Sequence, residues 1–84
     1  MRSVILYTTD QCARCVTAKT LLTRRGVVYA EINLAKDPDG RAVLAGRTGM
    51  STFPQIVIDG VTLGGLDELV AADRAGRLKG LVAA

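Results

Sequence analysis

A chain of 84 residues, 49% of them hydrophobic, is long enough for one core and too short for two. The net charge of +3 comes with one Phe, two Tyr and no Trp, which is poor material for stacking bases and argues against a nucleic-acid partner. No apolar run is long enough to span a bilayer, so no membrane partner is expected.

In chain order, Ser3-Val4-Ile5-Leu6-Tyr7-Thr8 is a short, β-branched, apolar run and predicts a first strand. Thr9-Asp10-Gln11 is polar loop. From Cys12 the spacing turns helical, with Cys15, Ala18, Leu21 and Leu22 on one face, and a helix is predicted over 12–25, stopped by Gly26. The only two cysteines thus flank Ala13-Arg14 where a strand gives way to a helix. The first helical turn offers unpaired N–H groups and the positive end of the dipole. A thiolate is stabilised there, so Cys12 is expected to ionise below the value of about 8.5 of a free cysteine, with Arg14 adding to the effect. A zinc site would need ligands from a second chain, because there is no histidine and no second cysteine pair. Two buried structural cysteines are a further reading. A static disulfide would close only a very small loop and stabilise little. A redox dithiol suits the junction best, and no metal is expected.

Val27-Val28-Tyr29-Ala30-Glu31-Ile32 predicts a second strand, parallel to the first through a right-handed βαβ crossover. Asp37-Pro38 is a helix start with Asp37 as cap, and this second helix runs to about Thr48, before Gly49. Its apolar face is weak, interrupted by Gly40 and Gly46, and it is expected to be the least stable helix. Gln55-Ile56-Val57-Ile58 and Val61-Thr62-Leu63, joined by Asp59-Gly60, form a hairpin. Leu66, Leu69 and Val70 mark a third helix ending near Ala75-Gly76, with Asp67 and Glu68 in its first turn. Leu78, Leu81 and Val82 suggest a last short turn. The expectation is a single domain over 1–84 of class α/β, in the order βαβαββα, with a mixed four-stranded sheet flanked by three or more helices.

Four segments, spread over nearly the whole chain, carry a family resemblance. These are Tyr7 to Cys15 around the cysteine pair, Ala18-Lys19-Thr20-Leu21-Leu22 with Gly26-Val27, Thr52-Phe53-Pro54-Gln55 leading into the hairpin, and Gly64-Gly65-Leu66-Asp67-Glu68-Leu69. In this order the chain resembles the glutaredoxins, with their thioredoxin-like fold. The resemblance implies a cis Pro54 facing the cysteines, and a Phe53 whose backbone N–H and C=O meet an extended thiol substrate. It also implies a binding region for glutathione at Gly65, Leu66 and Asp67, where helix N–H groups receive a carboxylate and Asp67 an ammonium. Arg41 resembles the position used for the glycyl carboxylate. Two departures stand out: Ala13-Arg14 replaces the family's common Pro-Tyr, and Thr9 replaces a lysine that many members carry.

The resemblance implies a glutathione-dependent thiol–disulfide oxidoreductase. Cys12 would attack disulfide-containing or glutathionylated proteins, Cys15 would resolve the intermediate, and glutathione would serve as thiol cosubstrate. Alternatives are reduction by thioredoxin reductase or another low-molecular-weight thiol, and an iron–sulfur carrier. Met1-Arg2-Ser3 lacks signal-peptide character, which with the cysteine pair gives the expectation of a cytoplasmic setting; a monomer is expected.

Overall fold

A computed structural model describes residues 2–82; Met1, Ala83 and Ala84, which complete the expected domain, lie outside them. β1 (Val4–Thr8) buries Val4, Leu6 and Thr8 on one face and half-buries Ile5 and Tyr7 on the other, the period of two that its composition predicted. α1 (Ala13–Arg24) buries Cys15, Ala18 and Leu22 along one stripe, three and four residues apart.

β2 (Ala30–Asn33) runs parallel to β1, pairing Ile5 with Ala30 through to Thr8 with Asn33. This corrects the expectation of a strand from Val27. The Val27 N–H donates to the Leu22 carbonyl at 2.9 Å, closing the end of α1. Val27 instead forms an isolated antiparallel bridge with Val82 and is buried, so residues 27–29 connect α1 to the sheet.

α2 (Pro38–Thr48) starts as the sequence implied, with Asp37 Oδ1 accepting from the Gly40 N–H at 2.9 Å and Gly49 closing the helix. It buries only Leu44. β3 (Gln55–Ile58) and β4 (Val61–Gly64) form the expected hairpin, with an irregularity between Ile56 and Val57 that leaves Leu63 outside the paired register. α3 (Leu66–Arg74) is followed by a 3₁₀ turn (Arg77–Leu81) that buries Leu78 and Leu81. Val82, expected with that apolar turn, is exposed.

The sheet order is β2-β1-β3-β4, with β1–β2 parallel and the other two pairs antiparallel. The predicted βαβαββα order and mixed four-stranded sheet are therefore present. Leu6, Leu22, Ile56 and Leu69 are completely buried and join the sheet to α1 and α3 in one core, to which Val4, Ala18, Val27, Ala72, Leu78 and Leu81 belong. Among the described residues no helix is long and apolar enough to cross a membrane.

This topology chooses one edge for the cysteines. β1 and β3 are antiparallel with Tyr7 opposite Gln55, so the end of β1 and the start of β3 lie side by side. β4 returns along β3 with Gly64 opposite Ile56, so α3 starts from the same edge. The Cys12 loop, the Phe53-Pro54 loop and the α3 N-terminus therefore converge. At the other edge, Asp59 accepts from the Ser3 N–H at 2.7 Å and from Arg2 Nε at 2.9 Å. Those contacts hold the Asp59 carboxyl below its ordinary range, the Ser3 bond being the larger cause.

Candidate active site

Gln11, at φ +53°, turns the chain out of the loop, and Cys12 becomes the N-cap of α1 instead of its first helical residue. Its Sγ accepts the Cys15 backbone N–H at 3.1 Å, in the place where a Ser or Asp oxygen usually caps a helix. A sulfur in this position faces the positive end of the helix. Cys12 is half-buried, and its Sγ lies 3.9 Å from the Phe53 carbonyl oxygen.

Cys15 sits one helical turn further in and is 2% exposed. Burial pushes its thiol up to about 11; its hydrogen bond to Cys12 adds to the rise, and the Thr9 backbone and the Lys19 charge oppose it. Both cysteines are free thiols. The pair is thus unequal: one sulfur is reachable and capped by an N–H, the other is buried and keeps its proton.

The Phe53-Pro54 peptide is cis, as the resemblance implied, and Pro54 is buried. Gln55 holds this loop from below. It is 1% exposed, its Nε2 donates to the carbonyls of Met50 (3.0 Å) and Thr52 (2.9 Å), and its Oε1 accepts from Thr48 Oγ1 (2.8 Å). Both ends of its amide are therefore engaged, by the loop it supports and by the last residue of α2. This role was missed in the sequence, where Gln55 read only as the first residue of a strand; an amide opening an apolar strand was the available signal.

The third wall is the start of α3. Gly64 is at φ +133°, and a Cβ there would come within 2.6 Å of the Glu68 side chain. Gly65 is the N-cap; its N–H donates to Glu68 Oε1 at 2.8 Å, and a Cβ on it would sit 3.3 Å from the Pro54 carbonyl oxygen. Gly65 thus lets α3 approach the proline loop, while its own N–H is occupied. The N–H groups of Leu66 and Asp67 follow in the first turn, where no intrahelical acceptor exists. Asp67 is exposed and its Oδ1 accepts from Arg14 Nη2 at 3.1 Å, a contact between the two helix starts that sequence reasoning did not foresee.

Cys12 thus meets Cys15 and Phe53 directly, Gly65 closes on the Pro54 carbonyl, and Asp67 is tied to the cysteine segment through Arg14. The hydrogen bonds of Arg41 go elsewhere: its Nη1 donates to the carbonyls of Leu34 and Ala35, securing the turn that leads into α2. Beside Cys15's helix, Glu31 accepts from Thr8 Oγ1 at 2.7 Å and from Lys19 Nζ at 3.3 Å. No cluster of three or more His, Cys, Asp or Glu side chains able to hold a metal ion occurs among the described residues.

An accessible sulfur capping a helix, a buried partner thiol and a cis-proline loop across from them suit thiol–disulfide exchange. Comparison with known proteins agrees. Residues 4–63 match the family model for glutaredoxin. A glutaredoxin of Pseudomonas aeruginosa is 45% identical over 84 residues, with both chains covered completely. Among solved structures, glutaredoxin from Brucella melitensis is 42% identical with a TM-score of 0.83, covering 95% of this chain and 87% of the other. A buckwheat glutaredoxin in complex with glutathione is 28% identical with a TM-score of 0.86, covering 98% and 83%. With a family model matched over residues 4–63 and relatives matched along the whole chain, the chain belongs to the glutaredoxin family and is a thiol–disulfide oxidoreductase.

Proposed function

We propose that the protein reduces protein disulfides and removes glutathione from mixed disulfides, using Cys12 as nucleophile, Cys15 as resolving thiol and glutathione as reductant. The observation that carries this reading is the inequality of the two sulfurs: Cys12 is accessible and accepts an N–H, while Cys15 is buried with its thiol pushed up to about 11. The thiolate is the attacking species, so the accessible sulfur goes first and the buried thiol that holds its proton goes second.

With a glutathionylated protein, Cys12 attacks the glutathione sulfur and the protein leaves as a thiolate that takes up a proton. A second glutathione thiolate then attacks the Cys12–glutathione disulfide, giving glutathione disulfide and free Cys12. With a protein disulfide, Cys12 joins one substrate sulfur and releases the other. Cys15 then attacks the Cys12 sulfur, its proton passes to the departing thiolate, and a Cys12–Cys15 disulfide forms. Two glutathiones reduce that disulfide to the dithiol. A Cys15 that holds its proton at neutral pH does not compete for the first attack and has a proton to give in the second.

Glutathione is assigned to the groove between the Phe53-Pro54 loop and α3. The first-turn N–H groups at Leu66 and Asp67 suit its γ-glutamyl carboxylate, and the Asp67 side chain suits the adjacent ammonium. The Phe53 backbone borders the cysteinyl part; Arg41, with guanidinium donors beyond Nη1, is the proposed partner of the glycyl carboxylate. The proposed setting is the cytoplasm, where a dithiol of this kind is kept reduced.

The test supplies NADPH through glutathione reductase with glutathione, or through thioredoxin reductase. Turnover is expected in the first mixture; turnover only in the second would overturn the choice of reductant. Cys12→Ser should abolish all reduction. Cys15→Ser should lose protein-disulfide reduction and keep deglutathionylation, which needs one thiol. The reverse pattern would exchange the two roles.

A further inference from the structure

Arg14 lies between the two cysteines and Asp67 lies in the first turn of α3, 53 residues later, yet their side chains meet at 3.1 Å. The contact engages Asp67, the side chain proposed to receive the ammonium of glutathione, and this inference rests on that assignment. The carboxylate proposed to receive an α-ammonium is paired with a guanidinium of the same chain. An incoming ammonium meets a carboxylate whose charge is offset and a fixed positive group beside it.

We propose that Arg14 is a specificity-determining residue that competes, within the molecule, with the α-ammonium of the substrate's γ-glutamyl group for Asp67. Both side chains are well exposed, at 58% for Arg14 and 82% for Asp67, so the competition is of the strength of a surface ion pair. It lowers affinity for a zwitterionic head group without closing the site, because a carboxylate has a second oxygen and several acceptor positions. The cost falls only on substrates that bear the ammonium. A thiol of the same length without it has no need of Asp67 and escapes the competition.

The sign distinguishes this role from simple attraction. Glutathione is a net anion, so a residue acting only as a nearby positive charge would aid binding, and its removal would raise KM. Competition predicts the opposite. Arg14→Gln should lower KM for a glutathionylated peptide by about two- to fivefold, the range of an exposed ion pair. The same change made in Asp67→Asn should not lower KM, because the contested carboxylate is gone. A peptide carrying a glutathione analogue whose γ-glutamyl amine is replaced by hydrogen should likewise show no lowering. Far-UV circular dichroism checks that each variant is folded. If Asp67→Asn raises KM and Arg14→Gln leaves it unchanged or raises it, the competition is refuted and the glutathione site stands. If Asp67→Asn leaves KM unchanged, the site assignment and the competition both fall.

Discussion

Two thiols within one helical turn differ here because one is at the cap and the other one turn inside. Burial is the first cause of the raised Cys15 value of about 11, and this has a consequence for stability. An unfolded cysteine titrates near about 8.5. The folded protein therefore holds the Cys15 proton more tightly than the unfolded chain does. The resulting stabilisation is complete below about pH 8.5 and is lost as pH rises through about 11. Urea unfolding of the reduced protein at about pH 8 and about pH 10.5 should show a loss on the order of 2 kcal/mol beyond that of Cys15→Ala. Equal losses in the two proteins would mean that Cys15 is not held neutral by its surroundings. At this scale the cysteine pair was legible because its spacing and its helix start are local facts of the chain. The Arg14–Asp67 contact and the Gln55 amide network were not. Each joins groups whose meeting depends on how distant elements stack or how a loop closes, and neither leaves a periodic trace in the sequence.

Elements were read best where a terminus carries its own chemistry. Asp37 with Pro38, and Gly49 at the far end, bound α2 as the sequence implied, because a cap is made within a few residues. The start of β2 was misread because Val27 and Val28 have strand-like side chains whatever they pair with. Which residues join a parallel ladder is decided by where α1 ends, and the Val27 N–H is taken by the Leu22 carbonyl there. The weakness foreseen for α2 has a structural counterpart: it buries only Leu44, while α1 buries Cys15, Ala18 and Leu22 and α3 buries Leu69 and Ala72. Helical stability in a protein comes mainly from such a buried face. Native-state amide hydrogen exchange should therefore find α2 the least protected of the three α-helices. Protection in α2 equal to that in the middle of α1 would show that Leu44 and the caps suffice. α2 reaches the proline loop through Thr48 Oγ1, which donates to Gln55, while Cys12 is capped from α1, so opening of α2 short of that last residue is expected to leave the reactivity of Cys12 toward an alkylating reagent unchanged.

For the whole molecule, the same core that holds the sheet also sets the width of the active edge. α3 reaches that edge with its N-terminus and the core with Leu69, which is completely buried. Leu69→Ala removes three carbons from a site enclosed by sheet and helices, and such deletions cost about 2–5 kcal/mol in transfer and cavity terms. Against a total stability of about 5–15 kcal/mol for a domain of ordinary size, that is a large fraction. Val61→Ala is the matched control: Val61 is 70% exposed on the outer strand, and its truncation should stay within about 0.5 kcal/mol. Chemical denaturation of the reduced proteins measures both. The functional consequence follows from the contacts of the α3 cap. Gly65 approaches the Pro54 carbonyl oxygen too closely to admit a Cβ without strain, so a shift of α3 moves the wall proposed to hold glutathione. Cys12 is capped by α1, through the Cys15 N–H, and does not depend on α3 for that bond. Leu69→Ala, assayed well below its unfolding transition, should therefore raise KM for a glutathionylated peptide while leaving the alkylation rate of Cys12 near that of the wild type. Equal loss of both would mean that the core holds the two walls as one unit, and unchanged stability would remove Leu69 from the core altogether.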